Sequence, residues 1–191
     1  GFFSREMLSL MQGSHCRASR PEAGKYYVAG IDIAGEAEEA YDTLSDTRPQ
    51  PDSTVVTIGL VSNQPHTGEP AIEIVEHYCW TGRNHASLHP KLVQLLGKLW
   101  KCSKISIDAT GMGQPVASFL RSELGSRVEA FTFSSKSKSE LGFDLLAAIN
   151  ASRVKMYKSD GSAECQRFWS EMEKAKAGYS AGRCLNFYVD R

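Results

Sequence analysis

The sequence lacks the features that mark the common zinc, redox and membrane proteins. Its five cysteines are scattered, without a Cys-x-x-Cys pair, so neither a zinc site nor a disulfide framework is predicted. The five histidines show no paired spacing, and we predict structural or surface roles for all of them. The apolar stretches are far shorter than the roughly 20 residues of a membrane span, and the start is not a secretory signal. These absences favour a cytoplasmic protein in a reducing compartment.

Net charge is also absent, because 22 lysines and arginines balance 22 aspartates and glutamates. A chain that binds nucleic acid therefore needs a basic surface that is local. At 191 residues, with 41% hydrophobic and 23% charged residues, the composition is that of one folded domain with a sizeable core. The first residue is Gly1 and not methionine, which is expected of a fragment of a longer chain.

Two apolar runs each end at an aspartate. The first covers residues 26–33 and contains Asp32, and the second covers residues 104–111 and contains Asp108. A carboxylate at the end of a buried strand is costly unless a partner neutralises it. Two such strands side by side would bring both carboxylates together, and a divalent cation is the natural partner of that pair. The two aspartates together predict metal-assisted hydrolysis. Either aspartate alone could equally well be a turn-forming residue at the end of a strand.

The hydrophobic pattern predicts a mixed α/β domain. Strands are expected over 26–33, 54–61 and 71–78, around Asp108, and over 128–133 and 185–189; helices are expected over 92–99, 114–124, 139–152 and 163–177. The third strand alternates isoleucine with glutamate, which predicts an edge strand with one wet face. Three antiparallel strands followed by helical crossovers make a mixed sheet. Residues 1–24 are predicted to form an arm or linker, and residues 25–191 the domain.

The order of these motifs resembles the ribonuclease H-like fold, and more narrowly the nuclease domain of phage and prophage terminase large subunits. Residues 27–32 and 52–56 are similar to that family's first hairpin, and residues 107–116 to its second acidic strand and glycine turn. The segments similar to later elements are 133–138, 145–150 and 166–175. The resemblance covers about residues 25–190. It implies a ribonuclease H-like mixed β-sheet flanked by helices, in an endonuclease that cuts concatemeric double-stranded viral DNA during packaging.

The resemblance also implies two divalent ions, Mg²⁺ or Mn²⁺, held by Asp32 and Asp108. Oxygen ligands suit these ions, and the chain lacks the histidine and cysteine clusters that zinc prefers. The family supplies a further ligand just after the last strand, so either Asp190 takes that position or the ligand lies beyond Arg191. Implied partners are double-stranded DNA, a packaging ATPase domain, a small terminase subunit and the capsid portal. These residues contain no Gly-x-x-x-x-Gly-Lys-Ser/Thr loop, so DNA translocation is not expected to reside in them.

Other residues have two interpretations each. Lys136 and Lys138 are candidates for gripping the phosphate backbone, or they belong to a solvated approach to a helix capped by Ser139. Gly111 and Gly113 allow either a tight turn or a close approach of phosphate.

Two other functions fit the same pattern. A Holliday-junction resolvase or transposase-like nuclease would need a third acid on a late helix, for which Asp144 and Glu140 are available. A docking module of the packaging motor would need no catalysis. The acidic loop between the first two strands, which contains Glu36, is interpreted as solvated surface or as a segment that repels DNA.

Overall fold

The computed structural model describes residues 1–34, 53–82, 85–111, 113–179 and 183–189. The predicted acidic loop around Glu36 and the candidate ligand Asp190 lie outside these residues. The strands are β1 (Tyr26–Asp32), β2 (Ser53–Asn63), β3 (Pro70–Thr81), β4 (Lys104–Asp108), β5 (Val128–Phe131), β6 (Val154–Met156), β7 (Lys176–Tyr179) and β8 (Leu185–Tyr188). The helices are α1 (Arg5–Leu10), α2 (His85–Leu92), α3 (Gly113–Leu124), α4 (Ser135–Asn150) and α5 (Ala163–Lys174), with a π-helical segment at Val93–Leu99 and a 3₁₀ turn at Gly125–Arg127.

Six strands form one mixed sheet in the order β5-β4-β1-β2-β3-β6. The first three strands in the chain pair antiparallel, while β4 lies parallel to both β1 and β5, and β6 lies parallel to β3. This arrangement confirms the predicted mixed α/β sheet. The strands β7 and β8 form a separate two-stranded hairpin.

The two faces of the sheet have different environments. Alternate residues of β1, β2 and β4 point into the main core, where Ile31, Val56 and Ile107 are buried against α2, the π-helical segment and α3. The residues between them, which include Asp32 and Asp108, point to the opposite face. We call this opposite face the acid face. A smaller cluster, formed by Ile74, Met156, Tyr157 and Cys165, packs with α5.

Several boundaries differ from the sequence-based predictions. The third strand is not an edge strand, because the short strand β6 pairs with it. The buried glutamate of its predicted wet face, Glu76, accepts a charge-assisted hydrogen bond from Arg17. The helix predicted over 139–152 begins earlier, at Ser135, because Ser134 and Ser137 form a reciprocal capping box. The last predicted helix, 163–177, ends at Lys174, since the chain then enters β7.

Residues 1–24 contact the domain at several points. The N–H of Phe2 donates to the Ala175 carbonyl, the N–H of Gly13 donates to Met156, and the N–H of Ala18 donates to Val75. Gln12 also forms a parallel bridge with Met156. These residues are therefore bonded to β3, to β6 and to the end of α5, and a domain boundary at residue 24 stays a prediction.

Candidate active site

Asp32 and Asp108 lie at the same end of two neighbouring strands. The parallel pairing of β1 with β4 matches Ile31 with Ile107, and each aspartate is the next residue of its strand. Residues at matched positions point to the same face, and neighbouring strands lie about 4.8 Å apart. The two carboxylates therefore leave the acid face side by side, as the sequence indicated. Asp32 is exposed and Asp108 is half-buried.

The turn after β4 fixes the orientation of Asp108. The N–H of Thr110 donates to Asp108 Oδ1 at 2.8 Å. The turn is joined to the end of β5 by two more bonds, because the N–H of Ala109 donates to the Phe131 carbonyl at 2.8 Å and the N–H of Phe133 donates to Thr110 Oγ1 at 3.0 Å. The carboxylate is therefore held before any ligand arrives, which reduces the cost of ordering a site.

Two glycines make this turn sterically feasible. Gly111 has a φ of +58°, a left-handed conformation that glycine adopts at little cost. A Cβ on Gly113 would lie 1.9 Å from the carbonyl oxygen of Asp108, so α3 begins directly against the backbone of the acidic residue. The close approach in this structure is therefore between two parts of the chain, and an approach of phosphate to these glycines stays a prediction.

A groove of about 470 Å³ lies on the acid face, where residues of β2 and β3 line it. Val55, the antiparallel partner of Asp32, lines it together with Val189. Residue 190 follows Val189 directly, but Asp190 itself lies outside the described residues. Across the described ranges, no group of three histidine, cysteine, aspartate or glutamate residues is arranged to hold a metal. The two aspartates supply hard oxygen donors of the kind that Mg²⁺ and Mn²⁺ prefer.

Lys136 and Lys138 lie in the first turn of α4, which follows the carboxyl end of β5. Since β5 is parallel to β4, this turn is at the same sheet edge as Asp108. Lys136 is 84% exposed, and its Nζ lies 3.9 Å from Glu140. The ammonium of Lys138 lies over the ring of Phe187, 5.0 Å from its centroid. DNA binding by these lysines stays a prediction.

A buried ionic cluster beside β3 was missed by the sequence analysis. Arg17 donates to Glu76 and, at 3.3 Å, to Glu164, and its Nη2 donates to the His77 carbonyl at 3.0 Å. Burial opposes the charge of Arg17, but the hydrogen bond to Glu76 and the nearby charges of Glu76 and Glu164 together outweigh it, so the pKa of the guanidinium is raised. Burial, with Arg17 adding to it, lowers the pKa of His77 to about 4. His77 is thus a neutral structural residue near pH 7, as the sequence analysis proposed.

A second cation, Arg167 on α5, was also missed. Its Nε donates to Glu171 Oε1 at 2.7 Å, and its Nη1 contacts Ser53 Oγ at 3.2 Å and Cys79 Sγ at 3.5 Å. Only the helical spacing of Arg167 and Glu171 is visible in the sequence, and this spacing is typical of a solvated ion pair.

The mixed sheet and its two strand-end carboxylates define a ribonuclease H-like domain. Residues 40–182 match the family model described as the terminase RNase H-like domain, and the chain belongs to this family. No curated protein matches the chain significantly in sequence.

Solved structures of phage large terminases have a similar fold. The large terminase nuclease of thermophilic phage G20c with bound magnesium has a TM-score of 0.67 at 14% identity, covering 100% of this chain and 88% of that chain. The same nuclease has also been crystallised with cobalt and with zinc. The large terminase of bacteriophage HK97 has a TM-score of 0.58 at 11% identity, covering 97% of this chain and 39% of that chain. The nuclease domain of the P22 large terminase has a TM-score of 0.50 at 9% identity, covering 96% and 81%.

The predicted fold and family are therefore confirmed. Among the helices of the described ranges, none has the length and apolar character needed to cross a bilayer.

Proposed function

We propose that this domain is a metal-dependent endonuclease of a phage or prophage terminase large subunit, which cleaves concatemeric double-stranded DNA during genome packaging. The observation that carries the proposal is the placement of Asp32 and Asp108 on one face of two adjacent parallel strands. Membership of the terminase family and the likeness to a nuclease crystallised with magnesium support it. In this proposal the domain acts in the host cytoplasm, next to a packaging ATPase domain, a small subunit and the capsid portal.

The proposed cofactor is a pair of Mg²⁺ or Mn²⁺ ions held by Asp32 and Asp108. When bound, such ions neutralise charge on the phosphate and generate a nucleophilic water near neutral pH. The chain's own contribution is orientation, since the amide of Thr110 holds the Asp108 carboxylate in place. Asp190 is one candidate for a further ligand, because in the sequence it follows Val189, which lines the groove; the alternative is a ligand beyond Arg191.

The phosphate backbone of DNA requires cations near this acidic edge. Lys136 and Lys138 at the start of α4 lie at the same edge, and we propose that they contact the backbone. Such contacts position the duplex but carry no sequence information. Contacts from these two lysines would therefore give the nuclease no preference for a DNA sequence at the cutting site.

Cleavage of supercoiled plasmid in the presence of Mn²⁺ tests the proposal. We expect nicked and linear products from the parent chain and none from Asp32→Asn or Asp108→Asn. Glu123→Gln is the matched control, because this exposed carboxylate lies on α3 in the opposite layer, and it should cut as the parent does. Cutting restricted to four-way junctions would indicate a resolvase, and an absence of cutting by the parent chain would indicate a docking module.

A further inference from the structure

The guanidinium of Arg167 lies over the acid face, close to the proposed cutting site. Its hydrogen-bond partners Ser53 and Cys79 belong to β2 and β3. The strand pairing connects Cys79 to Val55, and Val55 to Asp32, so Arg167 reaches the same row of residues that contains the first acid. Two strand spacings place β3 about 10 Å from β1.

Arg167 is held in one orientation but keeps part of its hydrogen-bonding capacity. Glu171 accepts a hydrogen bond from the Nε–H of Arg167, and the Nη1 group contacts Ser53 on the sheet. The described residues offer its Nη2 group no acceptor. The side chain is 52% exposed. A guanidinium group that is held through Nε and Nη1, and whose Nη2 can still donate, is suited to bind a phosphate oxygen.

A purely structural role explains this arrangement less well. The Arg167–Glu171 pair is exposed, and exposed ion pairs between residues i and i+4 contribute little to folding. The contacts to Ser53 and Cys79, at 3.2 and 3.5 Å, orient the guanidinium on the sheet and occupy only its Nη1 group. A cation at this place offsets the repulsion that the acid pair exerts on DNA.

We propose that Arg167 binds a phosphate of the DNA strand that is cut, within about three nucleotides of the scissile bond. The estimate follows from the 10 Å between β1 and β3 and a rise of about 3.4 Å per nucleotide along one strand. This inference rests on the proposed nuclease function, and it adds to it a DNA-positioning residue on a helix distant in sequence from both acids.

The test measures binding separately from cutting. A fluorescently labelled duplex is titrated with the Asp32→Asn chain and with Asp32→Asn/Arg167→Gln, in Mg²⁺ and at several salt concentrations. The loss of one phosphate contact should weaken binding roughly tenfold and reduce the salt slope by about one. Arg167→Lys should recover part of the affinity. Lys98→Gln, an exposed charge on the π-helical segment in the opposite layer, is the control and should leave the slope unchanged.

Cleavage kinetics and melting temperatures distinguish a DNA-positioning role of Arg167 from a purely structural role. With Asp32 intact, Arg167→Gln should raise KM for plasmid cleavage with little change in kcat, and its melting temperature should match that of the parent. Unchanged affinity and salt slope would overturn the proposal, as would a loss of melting temperature that accounts for the loss of binding. A parent chain that binds duplex without cutting would overturn the nuclease function alone, and the duplex titration would still decide the role of Arg167.

Discussion

Asp32 and Asp108 occupy matched positions on two adjacent parallel strands, one residue beyond the pair Ile31 and Ile107. The β1–β2 hairpin fixes the position of Asp32, and the turn that joins β4 to α3 fixes that of Asp108. The acid pair is therefore sensitive to changes in the backbone around it as well as to loss of the carboxylates.

Gly113→Ala should destabilise the turn that holds Asp108. The added Cβ would lie 1.9 Å from the Asp108 carbonyl oxygen, so either α3 or the end of β4 must move. We expect a loss of about 2 kcal/mol in the free energy of unfolding, as for other overpacked sites, together with slower plasmid cleavage. Gly178→Ala, where the Cβ meets no atom within 4 Å, is the control for denaturant melts and cleavage assays. Equal stability of the two variants would contradict the steric argument.

Removing the charges of Lys136 and Lys138 together should weaken DNA binding and flatten its salt dependence. If each lysine neutralises one phosphate, the slope of log K against log salt falls by about two in the double alanine variant. Anisotropy titrations over a range of salt concentrations measure this slope. The pair Lys91→Ala/Lys98→Ala, from exposed positions of the opposite layer, should bind as the parent does. An unaltered slope in the first double variant would exclude both lysines from the DNA interface.

Arg17→Met should destabilise the domain strongly. It leaves the carboxylate of Glu76 buried without the cation that pairs with it, and the breaking of a buried pair costs about 3 kcal/mol. Urea unfolding measures the change. Lys104→Met breaks the exposed pair with Glu129 and should have a small effect. Similar midpoints for the two variants would show that the Arg17 cluster does not stabilise the fold.

The stability of the domain should fall as the pH falls from about 6.5 to 4. Because burial lowers the pKa of His77 to about 4, the unfolded chain binds a proton in this range that the folded chain does not bind. The contribution of His77 is complete above pH 6.5 and decreases by up to about 3 kcal/mol towards pH 4. Urea melts of His77→Gln should show a shallower pH dependence than those of the parent, whereas the exposed His66→Gln should match the parent. An identical pH dependence in all three chains would refute the assignment to His77.

The strands of the sheet and the two strand-end aspartates could be predicted from the sequence, because both are visible in local sequence patterns. Runs of β-branched residues identify buried strands, and an aspartate at the end of such a run is conspicuous. That β1 and β4 lie side by side was implied only by the resemblance to the ribonuclease H-like fold, and the sheet order agrees with it. The same local logic placed Lys136 and Lys138 at the acidic edge.

Features that depend on contacts distant in sequence were not predictable. β6 has three residues with a lysine in the middle, too short for any periodicity, and it is a strand because β3 pairs with it. The helix predicted through residue 177 ends at Lys174, since the Ala175 carbonyl accepts the N–H of Phe2 and the chain then pairs with β8. The role of Arg17 depends on Glu76, which lies 59 residues away.

The proposed nuclease activity depends on the joint binding of divalent metal by Asp32 and Asp108. Anomalous scattering from crystals soaked in Mn²⁺ would reveal an ion at this site. We expect anomalous density between the two carboxylates, at about 2.1 Å from an oxygen of each. Carboxylates that face apart, with no density between them under saturating Mn²⁺, would contradict this joint binding.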